Sequence, residues 1–520
     1  MSLNANRSPS PLPRAEAPMG LLPVAVLGAG PVGLAAVAKL IERQLPFVLL
    51  EAGAQVGANL ADYGHVRLFS PWQYNVDPTM ASLLAATGWQ APASDELPLA
   101  GEVVDRVLKP FAALPAVRAA LHLNTRVLSI SRDGFDKVKS AGREQAAFII
   151  RALQQGQAIE LRAQAVIDAT GTWATPNPLG ASGLPALGEA EAASHIAYGL
   201  PDVLGAQRSR YAGRRTLVVG AGHSAANALL ALAELARQVP ATRLLWSVRS
   251  PVLTRVFGGG DADALPARGQ LGSDLMRLRD QGHMRFIGGL RITALRREQG
   301  ALTVVGLDAE GNTVTLPGID QIICATGQRP DLSPTRELRV KLDPWLESTE
   351  ALGPLIDPNL HSCGTVRPHG HRELAHPEPG LYTVGVKSYG RAPTFLMATG
   401  FEQVRSVVAA LAGDLAAADR VELDLPETGV CGIGAAPSTT AAAAGACCGG
   451  PAVGDASACC VLDEQKKAEG AAGCGCGAPA AAAAPAPVKA ACGASSCGPA
   501  AASPAPSAVA AGAAVARCCA

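Results

Sequence analysis

The sequence predicts an α/β protein built from two nested Rossmann-like dinucleotide-binding domains, and three observations carry that expectation. Glycine turns of one kind follow a short apolar run at Gly28 and again at Gly220. Each turn opens a stretch with helical apolar spacing and leads to a further apolar run. Each half then ends on a strand closing in Ala-Thr-Gly, first at Ala169-Thr170-Gly171 and later at Ala325-Thr326-Gly327.

In the first half, Leu22 to Leu27 reads as a buried strand, and Gly28, Gly30 and Gly33 supply the spacing G-x-G-x-x-G before a helix that runs through Ile41. Gly28 permits a tight turn, Gly30 lets a pyrophosphate approach the backbone, and Gly33 lets the helix pack on the strand, so phosphate meets the positive helix N-terminus. Pro31 is tolerated there because the first helical N–H has no intrahelical partner. A second strand, Phe47 to Leu50, ends at Glu51, 18 residues beyond Gly33, where a carboxylate can accept from ribose hydroxyls.

The stretch from Ala52 to Pro78 holds Tyr63, Phe69, Trp72 and Tyr74 in a chain that is only 4% aromatic, which suits either a wall for a flat ligand or a loop that packs its rings inward. Glu102 to Ala120 has helical spacing, whereas Leu121 to Arg132 and Ala147 to Arg151 alternate as strands. Pro176 and Pro178 mark a crossing to another domain.

Arg215 to Ala225 repeats the opening device, with Gly220 and Gly222 in place and Ala225 at the third position. The next strand, Arg243 to Arg249, ends in Ser247 and Arg249 rather than in an acid. An arginine pairs with a 2′-phosphate that a carboxylate would repel, so NADPH is expected over NADH, unless Arg249 is only a solvated surface charge. Two dinucleotide sites on one chain imply a tightly held redox carrier and its reductant, hence FAD at the first and a nicotinamide at the second.

The charge balance is even, 44 basic against 44 acidic residues, which gives no electrostatic reason to expect nucleic acid or an anionic membrane as partner. The polar, proline-rich start and the lack of an 18-residue apolar run predict a cytoplasmic protein. The expected layout is a disordered segment 1–21, a discontinuous FAD-binding domain at 22–200 and 329–425, an inserted NADPH-binding domain at 201–328, and a disordered tail over 426–520.

The pattern resembles the two-dinucleotide-binding-domain flavoproteins, and within them the flavin-containing monooxygenases. The resemblance covers roughly Val24 to Leu411 and rests on both glycine fingerprints, Glu51, both Ala-Thr-Gly strands, and Gly380 to Gly385 followed by Ala398 to Val404. It implies an enzyme in which NADPH reduces FAD and a flavin C4a-hydroperoxide passes one oxygen to a small soft nucleophile. The alternatives are a reductase or oxidase that inserts no oxygen and a thiol-rich metal-sequestering protein on a flavoprotein scaffold. The chain departs from disulfide-reducing relatives in having no cysteine before Cys324, and from many relatives in carrying Val386-Lys387 where they have an aspartate.

On that resemblance FAD is expected at Gly28, Gly30, Gly33, Glu51, Arg67, Val127, Thr170, Gly171, Gly385 and Thr399. NADPH is expected at Gly220, Gly222, His223, Ser224, Arg249, Thr326 and Gly327. Asn75, His195, Lys387 and Arg391 are the catalytic candidates. Asn75 also reads as a turn residue before Asp77-Pro78, and His195 as a structural histidine. His361, Cys363, His369, His371 and His376 form a cluster read either as a polar loop or as a metal site, although their spacing fits no standard motif.

Eleven of the 13 cysteines crowd between Cys431 and Cys519, in a segment of alanine, glycine and proline that lacks the large apolar residues of a core. The pairs Cys447-Cys448, Cys459-Cys460 and Cys518-Cys519, with Cys474 and Cys476, suit a soft metal or metalloid ion that takes two or three thiolates without rigid geometry. Thiol redox sensing and an incidental low-complexity extension are the other readings.

Overall fold

The computed structural model describes residues 22–251, 265–298, 300–358, 366, 368–392 and 395–423. The tail cysteines, His361 and Cys363, and the segments expected to be disordered at 1–21 and 426–520 lie outside these described residues.

Two five-stranded parallel sheets form the frame, their strands numbered in chain order. The first contains β1 (Val24–Leu27), β2 (Phe47–Leu50), β3 (Leu121–His122), β7 (Ala165–Asp168) and β16 (Leu381–Thr383), in the order β16-β7-β1-β2-β3. The second contains β8 (Ile196–Tyr198), β9 (Arg215–Val219), β10 (Arg243–Ser247), β11 (Arg285–Ile287) and β15 (Gln321–Cys324), in the order β11-β10-β9-β15-β8. Each carries a three-stranded antiparallel sheet as an insertion. One is built from β4 (Thr125–Arg132), β5 (Phe148–Gln154) and β6 (Gln157–Ala163), the other from β12 (Arg291–Glu298), β13 (Ala301–Leu307) and β14 (Thr313–Ile319).

The two halves therefore share one plan, strand for strand, except for the origin of the fifth strand. The first sheet takes β16 from downstream of the second unit, and the second takes β8 from upstream of its own glycine turn. The strand β8 stands upstream of the expected boundary at 201. Ile196 and Tyr198 pair with Ile322 and Cys324, so β8 belongs to the second sheet.

Helix α1 (Pro31–Glu42) follows β1, with Gly30 extended as its cap and every residue from Val32 to Leu40 buried. It packs against α5 (Met397–Leu411), and that packing is the centre of the largest core. The one cation in this buried run, Lys39, donates to Thr79 Oγ1 at 2.5 Å and lies 3.6 Å from Asp77, so its ammonium is answered. The short helix α2 (Ala58–Asp62) follows β2, while α3 (His223–Gln238) and α4 (Pro266–Asp280) cover the second sheet. No helix among the described residues is long and apolar enough to cross a membrane.

Candidate functional site

The first cradle is built by three close approaches. Gly28 turns with φ +92°, and a Cβ there would lie 2.7 Å from the Ala169 carbonyl oxygen. At Gly33 a Cβ would lie 1.9 Å from Gly28 O, whereas at Gly30 nothing stands within 4 Å. The turn is thus closed on its inner side and open above Gly30 and the first turn of α1, the space that a pyrophosphate needs. A flavin dinucleotide fits these residues.

Glu51 sits at the mouth of this turn. Its two carboxylate oxygens accept from Ala29 N and Gly53 N, each at 2.7 Å, which fixes the carboxylate and leaves lone pairs for a ribose hydroxyl. Val127 lies half-buried beside a β-bulge in β4, next to the Glu51–Thr125 crossing, where Thr125 N donates to Glu51 O. Arg67 is exposed, and its Nη1 donates to Leu97 O at 2.5 Å.

The second cradle repeats the first. Gly220 has φ +137°, a Cβ on it would lie 2.1 Å from Ala325 O, and Gly222 again faces open space. Ala169 and Ala325 therefore do the same job, each pressing its carbonyl against the first glycine of its turn, which is why Ala-Thr-Gly recurs. Trp246 Nε1 donates to Gly220 O at 2.8 Å and pins the turn. His223 and Ser224 open α3 half-buried, with the His223 ring 5.1 Å from Phe69 of the first domain. Arg249 is exposed, and its Nη1 donates to Ala181 O at 3.1 Å.

Two chain segments cross between the halves side by side. Asn177 N donates to Gly327 O at 2.9 Å and Arg329 N to Thr175 O at 3.0 Å, while Thr326 Oγ1 donates to Asn177 O at 3.0 Å. Gly171 and Gly327, with φ of +71° and +87°, start the two crossings. Beside them Trp173 lies tilted at 45° against Tyr63, 4.6 Å between ring centroids, and its Nε1 donates to Asp62 Oδ2 at 3.0 Å. Burial pushes the Tyr63 hydroxyl up to about 12, so it stays protonated at neutral pH.

Asn75 and His195 sit in the geometry of the second reading given for each, a turn residue and a structural histidine. Asn75 is buried with both amide hydrogens used inside its own turn, on Ser70 O at 2.7 Å and Pro71 O at 2.9 Å, so no donor is left for a bound oxygen species. His195 precedes β8, and its Nδ1 lies 2.9 Å from Asp320 O at the start of β15. Both strands run from that end towards Tyr198 and Cys324, so His195 stands at the edge of the sheet opposite the glycine turn.

Lys387 is buried rather than open to a ligand. Its Nζ donates to Asp168 Oδ2 at 2.7 Å and to Thr170 Oγ1 at 3.0 Å, and both charged side chains are at most 3% exposed. Thr170 in turn donates from N and Oγ1 to Asp168 Oδ1. The pair ties the Ala-Thr-Gly turn of β7 to the loop after β16. Arg391 is exposed, and its backbone N bonds Leu346 O at 2.7 Å.

Gly385 N donates to Gln403 Oε1 at 2.7 Å, and Gln403 Nε2 reaches Ser388 Oγ at 2.9 Å and His369 Nε2 at 2.8 Å. Thr399 is buried in the first turn of α5. Gln403 and Asp168 were not among the expected site residues. The signal was a polar residue at a core-facing position of an apolar helix, one turn beyond Thr399. His371 pairs with Asp419 and His376 with Lys341 N and Thr383, so these histidines and His369 have separate partners, and no metal-binding cluster exists among the described residues.

Cys324 is the one cysteine among the described residues. Burial pushes its thiol up to about 11, and its Sγ lies 3.2 Å from Thr326 Oγ1, so it carries no thiolate at neutral pH.

The sequence pattern of the pyridine nucleotide-disulphide oxidoreductases matches residues 25–351, a stretch that spans both cradles and both crossings. The chain belongs to this family. Family members are FAD- and pyridine-nucleotide-dependent oxidoreductases, and this chain is one. No curated protein sequence matches the chain. Solved structures share the fold at low identity. The bacillithiol disulfide reductase Bdr (YpdA) of Bacillus cereus is 16% identical with a TM-score of 0.54, covering 75% of this chain and 99% of that one. The FAD-bound cadaverine monooxygenase DfoA of Erwinia amylovora is 14% identical with a TM-score of 0.54, covering 78% and 97%. The ornithine N-hydroxylase KtzI of Kutzneria sp. 744 is 15% identical with a TM-score of 0.51, covering 75% and 99%. Both the reductase and the monooxygenase branches of the fold are thus represented, and the chain's own residues must decide between them.

Proposed function

We propose that this oxidoreductase is an NADPH-driven, FAD-dependent monooxygenase that oxygenates a small soft nucleophile. The observation that carries the reading is the pairing of two open glycine cradles with the lack of a dithiol beside them among the described residues. Cys324, the single described cysteine, is buried and protonated. Electrons delivered to the first cradle meet no dithiol or disulfide among the described residues, which favours oxygen as their acceptor. FAD supplies a two-electron carrier that accepts hydride from the nicotinamide and delivers the electrons to oxygen. The balance is NADPH, one proton, O2 and substrate giving NADP+, water and the oxygenated substrate.

The residues serve this chemistry by binding and shielding. The amides of α1 and α3 hold pyrophosphates, Glu51 takes ribose hydroxyls, and Arg249 takes the 2′-phosphate with the donors that Ala181 O leaves free. The positive end of α5 favours negative charge beside it. Tyr63, Phe69, Trp173 and His223 exclude water where the halves meet. The thiol pairs of the tail favour a soft metal or metalloid context, such as oxidation of a trivalent arsenical.

Turnover with NADPH and 18O2, using methyl phenyl sulfide and methylarsenite as probes, tests the reading. Label in the product, with NADPH consumed in equal amount, is expected. Hydrogen peroxide in equal amount to NADPH with every probe overturns it in favour of an oxidase, the second reading, which the fully engaged amide of Asn75 supports. A chain ending before residue 426 should keep NADPH turnover and lose soft-metal binding.

A further inference from the structure

We propose that Trp173 is a positioning residue that clamps the nicotinamide-binding half against the flavin-binding half, so that hydride transfer needs no rotation between them. The inference rests on the dinucleotide assignment above and adds to it a device for holding the two sites in register.

The halves are joined by only two adjacent segments, paired through Asn177–Gly327 and Thr175–Arg329. Two parallel straps of this kind form a natural hinge, since a few backbone torsions in both can change together. The extra contacts that cross the hinge therefore decide how freely it swings. Trp173 stands directly after the first strap's Gly171-Thr172. On one side its ring packs tilted against Tyr63 at 4.6 Å, and its Nε1 donates to Asp62 Oδ2 at 3.0 Å, both partners coming from the end of α2 in the first half.

On the other side the indole presses on Gly199, immediately after β8 of the second sheet. Gly199 has φ +82°, and a Cβ there would lie 2.8 Å from Trp173 Cη2, so the indole lies flush on backbone. Gly199 N donates to Cys324 O at 3.1 Å, which ties that backbone to β15 and hence to the second cradle. One side chain thus bridges the loop beside the first glycine turn and the strand ends beside the second. The Phe69–His223 contact, at 5.1 Å, makes a second bridge from the same loop to the first residue of α3. A swing of the second half would have to part the indole either from Gly199 or from its Tyr63 and Asp62 anchor, and would also have to part Phe69 from His223.

Anaerobic rapid mixing of the FAD-loaded full chain with NADPH, and with NADPH deuterated at the transferring position, tests this. Trp173→Ala should keep its FAD and its NADPH dissociation constant within threefold while the limiting rate of flavin reduction falls at least tenfold. Its deuterium isotope effect should fall towards 1, because domain closure and not hydride transfer then limits the step. Trp173→Phe, which keeps a ring on Gly199, should recover at least a third of the rate.

Asp62→Ala leaves the ring in place and removes only its anchor, so it should slow reduction about threefold and lower the isotope effect. It serves as the deciding variant if Trp173→Ala does not fold. A wild-type rate and isotope effect in Trp173→Ala, or in Asp62→Ala where that variant decides, overturns the clamp. Failure of NADPH to reduce the wild-type flavin would instead overturn the dinucleotide assignment.

Discussion

Replacing Lys387 by methionine separates a structural from a catalytic role for this cation. The Nζ–Oδ2 distance to Asp168 is 2.7 Å and the two side chains are 3% and 2% exposed, so the substitution leaves a carboxylate buried without its counter-charge. Breaking a buried pair from one side costs about 3–5 kcal/mol, whereas replacing both partners by neutral groups of similar volume is often neutral. Thr170 still donates twice to Asp168, which keeps the loss at the lower end of that range. For a chain of this size it corresponds to a fall of roughly 3–5 °C in the thermal midpoint. Flavin-release fluorescence during heating, at one fixed FAD concentration for all variants, reads it directly. Lys387→Met is expected to lose stability and retain FAD poorly, and the double variant with Asp168→Asn should recover most of the loss. A Lys387→Met protein as stable as wild type but without NADPH turnover would refute the reasoning and make Lys387 a catalytic group.

Gly33→Ala places a Cβ 1.9 Å from Gly28 O, so it should purify without flavin even from FAD-supplemented cultures, as read by the absorbance ratio of flavin to protein. Arg249→Ala should raise the Michaelis constant for NADPH about 10- to 100-fold, the worth of a charge-assisted pair at roughly 1.4–3 kcal/mol, and leave that for NADH nearly unchanged. His376 is buried, and desolvation holds its imidazole down at about 4, below the ordinary 6.5. Since the unfolded chain binds that proton more readily, stability should fall as pH drops from about 6.5 to 4, by at most roughly 3 kcal/mol from this group. His376→Gln should flatten that part of a stability-against-pH curve, measured by denaturant midpoints.

The parts of the fold that could be read from the chain are those specified within one turn of backbone. Strand, glycine turn and helix at Gly28 and Gly220 follow from local steric need, and Ala169 and Ala325 make the need visible by crowding the first glycine of each turn. What was not legible depends on partners distant in sequence. Lys387 is 219 residues from Asp168, and nothing near position 387 announces that its charge is neutralised. The resemblance placed its segment beside the flavin or substrate, which made it look like chemistry instead of architecture. The same distance hid the place of β8, whose three residues could join either sheet until Ile196 was seen beside Ile322. Asn75 was legible as a turn former by the simple rule that a short amide before Asp-Pro closes on its own backbone, and its burial leaves that as its geometry.

The differing origin of the fifth strand sets an order of assembly. Every strand of the inner sheet lies between Ile196 and Cys324, so that unit is complete once this stretch has left the ribosome. The outer sheet lacks its edge until Leu381–Thr383 arrives, and β7 meanwhile offers a free side to any passing strand. The earlier-made half of this enzyme is therefore the later-finished one, and the interval between the two events is when the nascent chain is most exposed to mispairing.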